Sequence, residues 1–453
     1  MSSATSAECI APQAVASGSR RSRAASFTAS GRILLAALWI APLALGAVEP
    51  WAWPVLTFLA LAALASWGVA CIRRGEVRIH WSPLYGLGAL LLALGLFQLF
   101  AGVTQDGVAT RNALILLATD FVFFFMAGQL FAGESAGAYR RFGQAVTIYA
   151  AALGLLAIFQ AFSSRGLIYW SIHPRVGAVF GPYVNRNNYA GLMEILIPVA
   201  AAYAFTRRAG DSRRLLAMFA VAIAVASLLL SGSRGGMVAL LAEMVVFGIL
   251  CFHRKRFARW RRYSAVAGAL ALSAGVALSV WMNPGYLSER IESVASFPAA
   301  PEVTLGQRLI VTRDTLHMAW DHRWLGTGLG SFMAVFPRYQ SFAGNGIWEH
   351  AHDDYAEALA ETGLSGGLLL LAGLIVFFRA AFGGLSDRLY FSAGWIQLAC
   401  ALGCCGALVH SLVDFNLHIP ANAAWFAVCA GLATTPAIAR REPGGPEGGA
   451  RRA

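Results

Sequence analysis

The run Glu349-His350-Ala351-His352-Asp353-Asp354-Tyr355 sets two imidazoles beside three acids, and Glu361-Thr362-Gly363-Leu364-Ser365-Gly366 follows it. Asp354 and Glu357 have the spacing of a helix opening, an aspartate variant of the capping box. His352 is therefore expected just before a helix N-terminus. A general base must present a neutral imidazole; the positive helix end favours that form, while Asp353 and Asp354 oppose it. Two other readings use the same residues. His350, His352 and Asp353 supply sensible metal ligands in a His-x-His pattern with acids. In the other reading His352 is simply a buried, hydrogen-bonded structural residue. The base ranks first, the structural role second and the metal third.

Three arginines stand out on the same side of the chain. Arg186 lies in Asn185-Arg186-Asn187-Asn188, at the start of an apolar segment, where free N–H groups and the helix dipole favour anions. Arg234 lies in Ser231-Gly232-Ser233-Arg234-Gly235-Gly236, a turn whose small residues allow another group close to the backbone. For one such arginine, snorkelling of the long side chain to the interface is the simpler account. Two of them, each bedded in small or amide residues, favour an anion site. Arg308 belongs to a predicted amphipathic helix over 305–321, expected at the membrane surface, with Leu309, Leu316 and Trp320 on one stripe and Arg313 at its edge. Gly326-Thr327-Gly328-Leu329-Gly330 follows no strand and reads as a tight turn rather than a nucleotide loop. Trp320, Trp324, Phe332, Phe336, Tyr339, Phe342 and Trp348 suit sugar stacking and membrane anchoring equally.

The elements that position these residues are set by composition. The chain has 453 residues, 58% hydrophobic and 13% charged, against roughly 25% charged in a soluble domain. Apolar runs of about twenty residues recur, each enough to cross a hydrocarbon core of about 30 Å, without the alternation of barrel strands. The predicted class is an all-α polytopic membrane protein with about twelve spans, near 33–48, 53–72, 84–101, 112–132, 142–162, 187–206, 215–231, 237–252, 264–283, 363–380, 390–413 and 421–437. Most of the 35 Lys and Arg fall on one side, including Arg73-Arg74, Arg140-Arg141 and His253-Arg254-Lys255-Arg256. That is the positive-inside bias, so the net charge of +12 reflects topology and not nucleic-acid binding. The division that follows is a basic cytoplasmic tail over 1–32, spans over 33–283, one large periplasmic loop with short helices over 284–362, spans over 363–437, and a disordered cytoplasmic tail over 438–453. A cleaved signal ending near Ala47 is the less favoured reading of the first apolar run. The seven cysteines, Cys9, Cys71, Cys251, Cys400, Cys404, Cys405 and Cys429, all avoid the outer loops, so no disulfide framework is expected there.

With these residues in view, the chain resembles the O-antigen ligase and O-antigen polymerase superfamily of bacterial inner-membrane proteins, over roughly 180 to 380. Phe180-Gly181-Pro182-Tyr183 with Asn185-Arg186-Asn187-Asn188 is similar to the family's Asn-rich motif, and Ser231-Gly232-Ser233-Arg234-Gly235 to a second. The third is His352, a polar residue, nine more residues, then Gly363-x-x-Gly366. The polar position is usually an amide or serine; here it is Asp353. The resemblance implies transfer of a glycan from undecaprenyl diphosphate to a sugar hydroxyl at the periplasmic face of the inner membrane. Ligases use lipid A-core as acceptor and polymerases use another lipid-linked repeat unit, exopolysaccharide polymerases included. On this reading His352 is the base, and Arg186, Arg234 and Arg308 hold the diphosphate. Asn185, Asn188, Asp353, Gly363 and Gly366 support them. Guanidinium groups match phosphate oxygens, so a metal-independent, inverting transfer without cofactor is expected. The rival is a transporter or flippase for lipid-linked sugars, for which Asp120, Glu194 and Glu243 are the intramembrane candidates.

Overall fold

A computed structural model describes residues 28–174, 178–208, 210–252, 305–343, 347–384, 388–389 and 392–436. Among them every regular element is helical: α1 Ala29–Leu43, α2 Ala52–Arg74, α3 Pro83–Phe100, α4 Gly107–Phe131, α5 Ala136–Ser163, α6 Arg186–Phe205, α7 Ser212–Leu230, α8 Arg234–Phe252, α9 Leu305–Asp321, α10 Asp354–Phe382, α11 Ser392–His410 and α12 Pro420–Thr434. Eight of these, α2 to α7, α10 and α11, are long and apolar enough to cross a membrane. The protein is a multi-pass membrane protein.

Helices stand at eleven of the twelve expected span positions; the segment expected at 264–283 lies outside the described residues, as do residues 1–27, the tail over 438–453 and the loop over 284–304, while α1 begins at Ala29, within the stretch expected as a tail. Two of the eleven are shorter than a full crossing. α1 and α12 have 15 residues each, or about 22 Å at 1.5 Å per residue, against a core of about 30 Å. The start of α1 is capped by the Thr28 hydroxyl, which accepts from Gly31 N–H at 3.2 Å.

Side-chain caps set where the helices open. Asp106 Oδ1 accepts from the N–H groups of Val108 and Ala109, both at 3.0 Å, at the head of α4. Asn185 does the same for α6 and Asp211 for α7. Pro83 and Pro420 occupy the first turns of α3 and α12, where the missing N–H costs nothing. The opposite end of α2 carries Arg73 and Arg74 and stops at Gly75 in the left-handed region.

α6 is the central pillar, buried along most of its length, and α11 is nearly as enclosed. α6 packs on α5, α7, α8 and α11. The peripheral helices α3 and α10 bury far less of their apolar stretches and expose leucines and phenylalanines as a lipid-facing surface would. The tight centre depends on small residues. A Cβ on Gly403 of α11 would lie 2.9 Å from the Ile195 backbone of α6, which is how helices approach closely in lipid.

α9 occupies the positions expected of the amphipathic helix. Its inner face buries Val311, Asp314, Thr315, Met318 and Ala319, while Leu309 and Trp320 point outward. Arg323 lies over both Trp320 and Trp324. Not all the loop aromatics are at the surface: Phe332 and Phe336 are buried and stack at 4.7 Å, so those two are core residues and neither sugar platforms nor anchors.

Candidate active site

Four connections meet at one end of the bundle: the head of α6, the turn from α7 into α8, the segment from α9 to α10, and the turn 411–419 between α11 and α12. Backbone and side-chain contacts tie them together. Asp354 N–H donates to Ser411 O at 2.9 Å, and Tyr355 Oη donates to Leu408 O at 2.7 Å. A Cβ on Gly191 would lie 2.4 Å from Asn416 Oδ1, and one on Gly235 2.3 Å from His410 Nε2. α6 thus packs against the 411–419 turn, and α8 opens against His410 at the end of α11.

Asp414 is the hub of this end. It is fully buried, and its Oδ2 accepts from Asn187 Nδ2 at 2.7 Å and from Arg308 Nη1 at 3.1 Å. Arg308 Nη1 also donates to Val413 O. His352 Nδ1 faces Asp414 Oδ1 at 3.4 Å, long for a hydrogen bond but close enough for a charge contact. Burial pushes the Asp414 carboxyl up, but His352 and the Arg308 guanidinium outweigh it and hold the group well below the usual carboxylate range. His352 itself has a left-handed backbone, with φ of 54°, and meets Phe415 edge-on at 4.8 Å. With Nδ1 turned to a carboxylate, Nε2 is the ring nitrogen left to take a proton.

The helix behind His352 opens one residue earlier than the capping-box spacing implies. Asp353, not Asp354, is the cap: its Oδ1 accepts from Tyr355 and Ala356 N–H, both at 3.1 Å. Desolvation raises the Asp353 carboxyl despite those two amides. This cap accounts for an aspartate in the motif that His352 opens, because aspartate, amide and serine side chains offer the same acceptor oxygen.

A second constellation lies beside the first. His350 Nδ1 is 2.8 Å from Glu357 Oε1, and His418 Nε2 is 3.4 Å from the same oxygen. His418 Nδ1 pairs with Asp354 Oδ1 at 2.7 Å. Burial lowers the His418 imidazole, but Glu357 and Asp354 outweigh it and raise it to about 10. The metal-ligand geometry expected of His350, His352 and Asp353 is therefore redistributed. His350 joins Glu357 and His418, His352 turns to Asp414, and Asp353 caps a helix.

The other expected site residues divide in the same way. Arg186 is half-buried at the first position of α6, and Arg234 is exposed at the first position of α8. Asn185 caps α6. Asn188 is buried in the bundle, its carbonyl accepting from Asn422 Nδ2 at 2.8 Å. Gly363 breaks α10 with φ of 64°, and a Cβ there would lie 2.5 Å from the Trp324 backbone; a Cβ on Gly366 would press on the Thr362 side chain. Gly363 lets the first turns of α10 pack on 323–326, where Leu364 N–H donates to Arg323 O at 2.7 Å and Ser365 Oγ to Trp324 O at 2.8 Å. The glycine turn at 326–330 holds Glu361, whose carboxylate accepts from Gly330 and Phe332 N–H at 2.8 and 2.9 Å.

Of the intramembrane acids, Glu194 pairs with His410 Nδ1 at 3.0 Å directly below the turn. Glu243 is buried without a hydrogen-bond partner among the described residues. Sequence reasoning missed Asp414, Asn187 as its partner, and His418. The signal available was Asp414-Phe415-Asn416-Leu417-His418, a polar run between two apolar segments.

No curated protein matches the chain. Residues 219–371 match the family model described as O-antigen ligase, a span that holds Arg234, Arg308, His352, Gly363 and Gly366 but neither Arg186 nor the Asp414 turn. That match supports the O-antigen ligase and polymerase superfamily as the family of this membrane enzyme.

Proposed function

We propose that the protein transfers a glycan from undecaprenyl diphosphate to a sugar hydroxyl at the periplasmic face of the bacterial inner membrane, with lipid A-core as acceptor. The observation that carries this reading is the juxtaposition of His352 with buried Asp414 at the end where α6 and α8 open with Arg186 and Arg234.

Each residue has a distinct task. The acceptor O–H gives its proton to His352 Nε2 as its oxygen attacks the anomeric carbon. The bond from that carbon to the diphosphate breaks, and direct attack inverts the configuration. Asp414 orients the imidazole and offsets the imidazolium charge that develops. Arg186 and Arg234, aided by the two helix N-termini, neutralise the departing diphosphate. Arg308 is engaged by Asp414 through Nη1, so its task is shared: it holds the hub, and its remaining N–H groups face the leaving group. No metal is needed at the diphosphate, because guanidinium forks supply the charge.

Polymerase chemistry differs from this only in the acceptor, and a polymerase of the same superfamily is the alternative. Transport is disfavoured by the placement of Glu194, which pairs with His410 beneath the outer turn instead of lining an open central path. The test is a transfer assay with purified protein, a synthetic polyprenyl-diphosphate glycan, and lipid A-core or a second donor as acceptor. Product with the inverted anomeric linkage on lipid A-core is expected. Elongation of the donor glycan alone makes the protein a polymerase, and no transfer to either acceptor overturns the enzymatic reading.

A further inference from the structure

His350, Glu357 and His418 each offer one ligand atom, and these three atoms lie within 4.8 Å of one another. We propose that they form a binding site for one divalent transition-metal cation of the zinc class, with His350 Nδ1, His418 Nε2 and Glu357 Oε1 as ligands. The site is separate from the diphosphate arginines and stands independently of the transfer chemistry.

Four features distinguish this cluster from an ordinary hydrogen-bonded patch. First, His418 Nδ1 is held by Asp354 Oδ1 at 2.7 Å, and Asp354 Oδ2 accepts from Leu417 N–H at 3.3 Å. A carboxylate on the far nitrogen sets the tautomer and turns the Nε2 lone pair toward Glu357, the arrangement that orients metal-ligating histidines. Second, Glu357 is buried to 1% exposure, and its Oε2 is used by Ala351 N–H at 2.7 Å. Only Oε1 faces the two rings. Third, the His350 ring is fixed by stacking on Phe415 at 4.6 Å and 26°. Fourth, the His350 and His418 side chains keep 26% and 30% exposure, which leaves an entry route and an open coordination position for water.

Both ring-to-carboxylate separations also fit. Tetrahedral ligands about 2.1 Å from zinc stand roughly 3.4 Å apart. His418 Nε2 is already 3.4 Å from Glu357 Oε1, and His350 Nδ1 at 2.8 Å needs to move back by only about half an ångström. Two histidines and one carboxylate with an open position suit zinc or a neighbouring first-row ion and are a poor match for calcium or magnesium. A bound cation would clasp the strand of chain carrying His352 to the turn carrying Asp414.

The experiment uses untagged full-length protein in nanodiscs, stripped with a chelator and titrated with Co²⁺, read by visible d–d absorption with Zn²⁺ competition. One equivalent should bind with a four- or five-coordinate spectrum and be displaced by Zn²⁺. His350→Gln and His418→Gln, both changes at partly exposed positions, should each weaken binding at least about tenfold, and Asp354→Asn about 10- to 100-fold through the lost carboxylate behind His418. His352→Ala should bind as the wild type does. Absence of saturable one-equivalent binding to the wild-type protein overturns the proposal. So does binding that survives in both histidine variants, which would mark an adventitious ion elsewhere on the chain.

Discussion

The two histidines of His350-Ala351-His352 sit two residues apart and both touch Phe415, yet they enter opposite electrostatic settings. His352 faces Asp414, a carboxylate already engaged by Arg308 and Asn187. Its surroundings nearly balance in charge, and one ring nitrogen is left over. His350 faces Glu357, with Asp354 and His418 behind it, an acid-rich pocket that calls for a cation or a proton. Imidazole chemistry here is decided by which carboxylate the ring meets and what else that carboxylate holds. On the reading proposed above, positions two apart in sequence act as a base in one case and a ligand in the other.

The largest expected break in this comparison is kinetic. His352→Ala should lower transfer by about 10²–10⁴ with protein level in the membrane unchanged, whereas His350→Gln should leave turnover within a few-fold. Equal losses in the two variants, measured per mole of folded protein, would erase the distinction drawn between them.

Asp414→Asn tests the hub. Removing the anion leaves the partly buried positive charge on Arg308 without its carboxylate, a loss on the order of 2 kcal/mol in stability, and transfer should fall because His352 loses its orienting carboxylate. The pH dependence has a definite sign. The Asp414 carboxyl is held below its ordinary value, so its contribution is present above about pH 4 and fades as the pH falls below that. The thermal-midpoint gap between wild type and Asp414→Asn should therefore be full at pH 7 and shrink below about pH 4. A gap that stays constant into acid would remove the ionised carboxylate from the account.

Arg186→Lys and Arg234→Lys keep the charge but lose the bidentate fork. Each should slow transfer by about tenfold, the scale of one lost charge-assisted hydrogen bond. Full activity of both lysine variants would leave interfacial snorkelling as the explanation of these arginines. The smallest effect belongs to Arg313, which is exposed on the outer face of α9. Arg313→Ala should change stability by less than about 0.5 kcal/mol and turnover by less than twofold; a larger loss would extend the site along α9.

The sequence alone determined the helical membrane class, eleven helix positions among the described residues, and the set of residue types concentrated near 350. Those features are local: a length of apolar chain must be helical in lipid because its backbone has no other partner, and caps such as Asn185 and Asp106 need only the next three residues. It also singled out 326–330 as a turn, since glycines at positive φ demand one. Tertiary structure alone decided which histidine met which acid. The capping position shifted from Asp354 to Asp353 because the cap is chosen by the whole 350–357 segment as it packs on 411–419. Asp414 stood at the edge of an apolar run and gave no periodic signal. Its importance arises from residues more than one hundred positions away, Arg308 and Asn187, and their approach depends on how α6, α9 and α11 pack. A contact across such a separation leaves no spacing to read, and only the packed bundle brings its partners together.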